Sequence, residues 1–181
     1  MIGSYNDIVT MQIAFNSTLA EGYTSGSQRA RVFSEGWVHA QAYCPNCGQI
    51  RLERYENGRK VADFYCSNCY EEYELKSKKT AIGGRIVDGA FETMIERLNS
   101  NTNPNLFVLN YEMTSLSVKD FLIIPKHFFT PEIIERRRAL SSTARRAGWV
   151  GCNILLKSVP QSGRIYFIKD RIVEPPGKVM A

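Results

Sequence analysis

The sequence contains no run of 18 or more apolar residues, and it has only two histidines among 181 residues. A membrane-spanning helix needs about 20 mostly apolar residues, so no membrane span is predicted. The first residues, MIGSYNDIVTMQIAF, lack the basic stretch and apolar run of a signal peptide, and we expect a cytoplasmic protein. His39 and His127 have no partner at a metal-ligand spacing, so we expect structural roles for both.

The net charge of +5 is modest, but the basic residues are grouped along the chain. Local basic groups favour polyanions such as nucleic acid. A solvated surface is the alternative explanation for any single group. The groups are Lys76, Lys78 and Lys79; Arg136, Arg137 and Arg138; and Arg145 and Arg146.

Four of the five cysteines form two C-x-x-C pairs, Cys44 with Cys47 and Cys66 with Cys69. A two-residue gap lets both sulfurs point at one ion, and four thiolates complete a closed tetrahedral zinc site. Disulfides are the alternative, but a reducing compartment argues against them. A thioredoxin-like redox motif fits two matched pairs poorly. We predict structural Zn²⁺ here, and we expect Cys152 to be a buried apolar thiol.

The chain alternates helical and strand patterns, without repeats or low-complexity segments. This mixture predicts an α/β sandwich whose mixed central sheet is flanked by helices. Asp88 is predicted to cap the third helix, Thr130-Pro131-Glu132 is a helix-start pattern for the fourth, and residues 139–149 are predicted to be a loop. Predicted helices cover residues 8–20, 27–43, 89–100 and 130–137, and predicted strands cover 61–65, 70–77, 106–111, 121–125, 154–156 and 164–168.

Two acids and a lysine lie on the strands of one predicted hairpin: Asp63 in VADFYC, and Glu74 and Lys76 in YELKS. Side chains two residues apart on a strand share a face, so Glu74 and Lys76 point the same way and Asp63 can lie across from them. Two carboxylates can bind Mg²⁺, which lowers the pKa of a bound water, and a lysine can orient that water. The set therefore suits phosphodiester hydrolysis. An exposed hairpin face with paired charges is the alternative.

The second cysteine pair lies at the tip of the same hairpin. Cys66 follows Asp63 by three residues, and Cys69 precedes Glu74 by five. A zinc ion that joins this tip to Cys44 and Cys47 would fix the strand register and keep Asp63 opposite Glu74.

The segments CPNCG, VADFYC, EEYELKSKK and ARRAGW, within residues 23–178, resemble the DpnI-type restriction endonucleases of the PD-(D/E)XK nuclease superfamily. The resemblance implies a type II enzyme that hydrolyses double-stranded DNA at GATC sites carrying N6-methyladenine, with no partner methyltransferase. It implies that Asp63, Glu74 and Lys76 serve catalysis, with Mg²⁺ on the two acids, and that the four paired cysteines hold zinc. We expect one PD-(D/E)XK domain over residues 1–181, with the zinc site inserted at 44–69 and without the family's C-terminal winged-helix domain.

The methyl group on adenine N6 projects into the major groove, where an aromatic surface can read it. In the loop ALSSTARRAGW, Trp149 is the candidate for this contact, and Arg145 and Arg146 are candidates for phosphate or guanine contacts. The small, polar and basic residues of this loop suggest that it is mobile without DNA and becomes ordered when DNA binds. Ordinary core packing is the alternative for Trp149.

Lys78 and Lys79 extend the catalytic strand and are candidates for phosphate contacts, with a solvated strand end as the alternative. Glu35, on the second predicted helix, either assists a metal or is exposed. Two rival functions remain at this stage. One is a zinc-ribbon module that only binds DNA, and the other is an inactive reader of methylated DNA.

Overall fold

The computed structural model describes residues 11–56 and 62–180. Three helices and ten strands are assigned in these ranges, and a few single 3₁₀ turns connect them. The helices are α1 (Gly26–Gln41), α2 (Phe91–Leu98) and α3 (Pro176–Val179). The strands are β1 (Glu53–Arg54), β2 (Phe64–Tyr65), β3 (Glu72–Lys78), β4 (Ile86–Ala90), β5 (Asn105–Glu112), β6 (Ser117–Ile124), β7 (Ile134–Arg136), β8 (Gly151–Ile154), β9 (Ile165–Lys169) and β10 (Ile172–Val173).

Seven strands form a mixed central sheet in the order β1-β2-β3-β5-β6-β9-β10. β3 runs parallel to β5, with Glu74 beside Leu106 and Lys76 beside Val108. The other neighbours in this sheet are antiparallel. β5 is central because its run NLFVLNY is buried on both faces, as expected for a strand covered on each side. The predicted mixed central sheet is confirmed.

Helix α1 covers one face of the central sheet. Phe33, Trp37 and Val38 lie at helical spacing and are buried. The Trp37 ring meets Phe121 edge-on at a centroid distance of 5.2 Å. On the same face Tyr73 stacks on Phe107 at 4.6 Å. The helix predicted from Ser27 is confirmed, with its start at Gly26.

The opposite face is covered by a second sheet of three antiparallel strands, in the order β4-β8-β7, together with α2. Leu106, Val108 and Leu122 from the central sheet pack against Ile86 and Ile154 from the small sheet. The predicted flanking helices are therefore present on both faces, but the small sheet that shares this face with α2 was not predicted. Cys152 lies on β8 and is fully buried, as predicted.

Two of the predicted helices are replaced by other structure. Residues 11–15 are extended, because Ala14 forms a bridge with Ser117, and only Ser17–Ala20 forms a 3₁₀ turn. The earlier part of that prediction lies outside the described residues. In the predicted helix 130–137, one 3₁₀ turn at Pro131–Ile133 leads into β7, which pairs with β8. The β-branched isoleucines of this segment, and the availability of β8 as a pairing partner, favour an extended backbone.

Three predicted boundaries also change. Asp88 does not cap a helix, because it lies inside β4 and α2 begins at Phe91. The strand predicted over 61–65 is formed only at Phe64–Tyr65, and Val61 lies outside the described residues. The strand predicted over 154–156 ends at Ile154, and a 3₁₀ turn follows. No helix in the described part of the chain is long and apolar enough to span a bilayer.

Candidate active site and metal centre

The four paired cysteines converge at one end of the central sheet. Their sulfur atoms all lie within 4.8 Å of one another. Cys44 Sγ is 3.5 Å from Cys69 Sγ, and Cys47 Sγ is 3.5 Å from Cys66 Sγ. A tetrahedral ion with Zn–S bonds of about 2.3 Å places its sulfurs about 3.8 Å apart, so the donor set fits such an ion. A disulfide requires about 2.05 Å, and all four cysteines are free thiols.

The two cysteine turns repeat the same backbone pattern. The amide of Gly48 donates to the Cys44 carbonyl at 2.9 Å, and the amide of Tyr70 donates to the Cys66 carbonyl at 2.9 Å. The residue after each pair lies in the left-handed region, with φ of 78° at Gly48 and 60° at Tyr70. Glycine adopts this region without strain, whereas tyrosine pays a penalty of roughly 1 kcal/mol. The strained Tyr70 is consistent with a tip that is held by an ion.

The thiols of the cluster lie in unequal environments. Burial raises the pKa of Cys44 and of Cys66. Burial also acts to raise the pKa of Cys47, but hydrogen bonds from the Asn68 side chain, the Gln49 backbone and neighbouring thiols outweigh it and lower this pKa to about 6. A metal ion binds thiolates, so Cys47 is the thiol best prepared to bind.

Asp63 lies in the bend before β2 and is fixed to β3 on both sides of Glu74. Its amide donates to the Tyr73 carbonyl at 2.9 Å. Its Oδ2 atom accepts from the amide of Leu75 at 2.7 Å. The carboxylate therefore lies at β3 beside the Glu74–Lys76 pair. The sequence predicts that Asp63 lies across from this pair, and the two hydrogen bonds to β3 agree with that position.

Glu74 and Lys76 share the face of β3 that points toward the small sheet. The Lys76 ammonium lies 2.6 Å from Glu74 Oε1. Glu74 is only 7% exposed. An exposed hairpin face is therefore excluded for this pair, because both side chains lie at the edge of the second core. Leu75 packs against the opposite core, as strand alternation requires.

A third carboxylate, Asp88 on β4, completes this cluster. Its Oδ1 atom lies 2.7 Å from the Lys76 ammonium. The sequence pattern does not indicate this role for Asp88, because an aspartate just before a helical pattern predicts a helix cap. The segment IVDGA, with apolar residues ahead of the acid, is the signal for a strand that could have placed Asp88 on a face.

The charges of this cluster perturb one another. Burial, with smaller contributions from the Asp63 and Asp88 charges, raises the pKa of Glu74 to about 7, although Lys76 opposes the shift. Burial also raises the pKa of Asp63. For Lys76, burial acts to lower the pKa, but the Glu74 and Asp88 carboxylates outweigh it and raise the pKa. Lys76 is therefore a cation, whereas burial disfavours the ionised forms of Glu74 and Asp63.

Glu35 lies on α1 near Asp63. Its carboxylate pairs with Arg31 at 2.6 Å and with Arg54 at 2.5 Å, and its side chain is 13% exposed. The expectation of an exposed Glu35 is therefore wrong. Burial is the main cause of the raised pKa of Asp63, and the Glu35 charge adds to it, whereas the Leu75 amide and the Lys76 charge oppose the shift.

The predicted DNA-contacting loop joins β7 to β8. Residues 139–149 contain neither helix nor strand, as predicted, and Leu140 closes the loop by donating its amide to the Trp149 carbonyl at 2.9 Å. Trp149 is half-buried and packs directly over Gly151, where an added Cβ would lie 2.8 Å from its ring. Gly151 and Cys152 pair with Ala90 and Asp88 on β4, so the loop lies beside the acidic cluster.

Arg146 places its guanidinium 4.3 Å from the centre of the Trp149 ring. Arg145 and Arg146 are exposed, as is Lys79, while Lys78 is partly buried at the end of β3. His39 donates a hydrogen bond from Nδ1 to the Leu52 carbonyl at 2.9 Å, which fits a structural role. His127 is exposed beside the Phe128 ring.

The family model described as DpnI, Dam-replacing family, matches residues 11–181, which is essentially the whole chain. The protein therefore belongs to the DpnI family of restriction endonucleases.

Proposed function

We propose that this protein is a Mg²⁺-dependent type II endonuclease that hydrolyses double-stranded DNA at GATC sites containing N6-methyladenine. The observation that carries the proposal is the position of Asp63, whose carboxylate accepts from the Leu75 amide and so lies beside Glu74 and Lys76. Membership of the DpnI family supports a restriction-related nuclease that acts on DNA. Residues 1–181 would form one PD-(D/E)XK domain with the zinc site inserted at 44–69.

Asp63 and Glu74 would hold the magnesium ion. Both offer carboxylate oxygens, which this hard cation prefers. Burial raises the pKa of each acid, the Asp63 charge adds to the shift of Glu74, and a bound dication would favour the ionised forms of both. Among the described residues the cysteines form the one group of three or more ligand atoms within 4.8 Å, so water and phosphate oxygens would complete the coordination. When bound, the ion would lower the pKa of a water and neutralise phosphate charge.

Lys76 supplies a fixed positive charge at the reacting phosphate. Its raised pKa keeps it protonated at neutral pH, and it is held between Glu74 and Asp88. An ammonium with a remaining proton can orient the attacking water and stabilise the charge that develops on phosphorus oxygens. Water access is limited by the second core, which strengthens this interaction.

Zn²⁺ is the ion that we propose for Cys44, Cys47, Cys66 and Cys69. Four thiolates leave no open position, so the role is structural. Zinc would join the tip of the β2–β3 hairpin to the turn after α1, and it would thereby hold Asp63 in register with Glu74.

DNA would approach along the β7–β8 loop and the end of β3. Arg145, Arg146, Lys78 and Lys79 would contact phosphate or guanine edges, and Trp149 would contact the methyl group. The support is the position of the loop next to Asp88 and the exposed guanidinium over Trp149. Magnesium-loaded protein would then cut only where the loop accepts the methylated site.

The test uses plasmids whose GATC sites are methylated or unmethylated, incubated with Mg²⁺, with Ca²⁺, or without a divalent ion. Cleavage of the methylated plasmid with Mg²⁺ alone is the expected result. Lys76→Ala should abolish cleavage, while Lys169→Ala, an exposed lysine on β9, should not. Tight binding of methylated DNA without cleavage under every condition would instead identify a non-catalytic reader or zinc-ribbon module.

A further inference from the structure

Asp88 is not part of the motif of Asp63, Glu74 and Lys76, yet its side chain is only 8% exposed and contacts the Lys76 ammonium. It reaches the cluster across the interface between the two sheets. Asp88 shares its strand face with Ile86, which packs into the second core, and Lys76 lies on the facing side of β3. The two sheets therefore bring Asp88 and Lys76 together at the edge of that core.

An irregularity in the pairing of β4 lies next to Asp88 and helps to orient its side chain. The pairing of β4 with β8 shifts between Asp88 and Ala90, which is a β-bulge at Gly89. The Gly89 amide donates to Asp88 Oδ1 at 2.7 Å and so fixes the orientation of the carboxylate. Bulges often re-aim a side chain beside an active site.

The two oxygens of Asp88 have different partners. Oδ1 contacts Lys76 and the Gly89 amide. Oδ2 is buried and has no hydrogen-bond partner among residues 11–56 and 62–180. A buried carboxylate oxygen without a partner is costly, so it calls for a functional explanation.

We propose that Asp88 is a positioning residue that keeps Lys76 in place when Glu74 binds the cation. This inference rests on the proposed nuclease function. In the structure Glu74 and Asp88 share the Lys76 ammonium at 2.6 and 2.7 Å. Once Glu74 binds a dication, its attraction for Lys76 weakens and the ion itself repels the ammonium. Asp88 remains as the counter-charge, and its free Oδ2 can accept a hydrogen bond from a water ordered by Lys76.

The experiment compares Asp88→Asn with the control Glu135→Gln. Glu135 lies in the same small sheet, where it pairs with Asn153, and its side chain points to the face opposite that of Asp88. Single-turnover cleavage should slow by about 10- to 100-fold in Asp88→Asn, a range typical of supporting residues. The half-saturating Mg²⁺ concentration and the Ca²⁺-supported Kd for DNA should change by less than about threefold, because Asp88 binds neither ion nor DNA. A large rise in the Mg²⁺ requirement would overturn the positioning role and indicate a ligand.

A second readout is independent of cleavage. Acetylation of Lys76 by an amine-specific reagent, measured by mass spectrometry in Mg²⁺, should be at least about fivefold faster in Asp88→Asn than in wild type, and unchanged in Glu135→Gln. An acetylation rate of Lys76 in Asp88→Asn equal to the wild-type rate would overturn the proposal.

The outcomes separate this inference from the proposed function. If wild-type protein does not cleave methylated DNA, the proposed function fails, and the acetylation rates still report whether Asp88 holds Lys76. If wild type cleaves and Lys76→Ala does not, but Asp88→Asn cleaves at the wild-type rate, only the role of Asp88 is refuted.

Discussion

The Tyr73 hydroxyl lies 3.1 Å from the sulfur of Cys44, and Tyr73 immediately precedes Glu74 on β3. Tyr73 is fully buried and stacks on Phe107. Burial raises the pKa of Tyr73, so its hydroxyl stays protonated and donates to the sulfur. One side chain therefore connects the metal centre to the strand that carries Glu74 and Lys76.

This connection predicts that Tyr73→Phe weakens zinc binding while the aromatic packing is kept. Hydrogen bonds to metal ligands typically contribute a factor of about 10 to 100 in affinity. We expect zinc affinity, measured by competition with a chromophoric chelator, to fall by about tenfold. Tyr65→Phe, which alters a tyrosine stacked on Tyr55, is the control. Equal zinc affinity in both variants would show that the contact does not stabilise the ion.

Zinc removal should disorder the hairpin that carries Asp63 before it unfolds the rest of the chain. The two cores are built from α1, the central sheet and the small sheet, whereas β1 and β2 are two-residue strands. Cys66→Ser should therefore lose zinc and cleavage but retain most far-UV circular dichroism. The metal content is measured by mass spectrometry, and one ion per wild-type chain is expected. Loss of all secondary structure would contradict this prediction.

The buried Glu74 predicts a pH-dependent stability in magnesium-free protein. Its pKa is about 7 in the folded protein and about 4.5 ordinarily, so protonation favours folding. This stabilisation is present below about pH 4.5 and is lost as pH rises through 7. Glu74→Gln should reduce the fall in unfolding free energy between pH 5 and pH 8 by roughly 1–3 kcal/mol. Lys76 does not titrate in this window, because its pKa is raised.

Urea denaturation of wild type and Glu74→Gln at the two pH values measures this difference. Saturating Mg²⁺ should restore the stability of wild type at pH 8, since the ion favours the ionised carboxylate. The variant should show no such recovery. Parallel pH profiles for both proteins without Mg²⁺ would refute the assignment to Glu74.

Trp149→Ala should remove the preference for methylated over unmethylated GATC while the protein still folds. Trp149 is only half-buried, and it covers Gly151 rather than a core position. The competition constants of methylated and unmethylated duplexes are measured by fluorescence anisotropy in Ca²⁺. Ile172→Ala, an exposed apolar residue on β10, is the control. A preserved methyl preference in Trp149→Ala would assign the tryptophan to packing alone.

Arg145→Ala should weaken binding to both duplexes by a similar factor, because a phosphate contact is independent of sequence. The slope of log affinity against log salt concentration should fall by about one. A loss confined to the methylated duplex would mean that Arg145 reads a base. Arg146 is a less clean probe, since its guanidinium also packs over Trp149.

The features of the site that depend on residues close together in the sequence could be predicted from it. Two C-x-x-C turns gather four sulfurs because each turn is set by two residues of backbone. Glu74 and Lys76 share a face because strand side chains alternate. Asp63 lies beside them because the hairpin between them is short. Each of these relationships spans few residues, so spacing alone was sufficient.

The cysteine cluster, the paired side chains of β3 and the buried central strand β5 follow from local sequence patterns, because periodicity and turn geometry act over short distances. Long-range packing was needed to bring Asp88 to Lys76, to make residues 134–136 a strand instead of a helix, and to form the second sheet from which the loop over residues 139–149 extends. Those outcomes depend on pairing between β4, β7 and β8, which are separated by up to about sixty residues. Local propensity cannot specify such pairing, because the backbone hydrogen bonds that decide it come from distant parts of the chain.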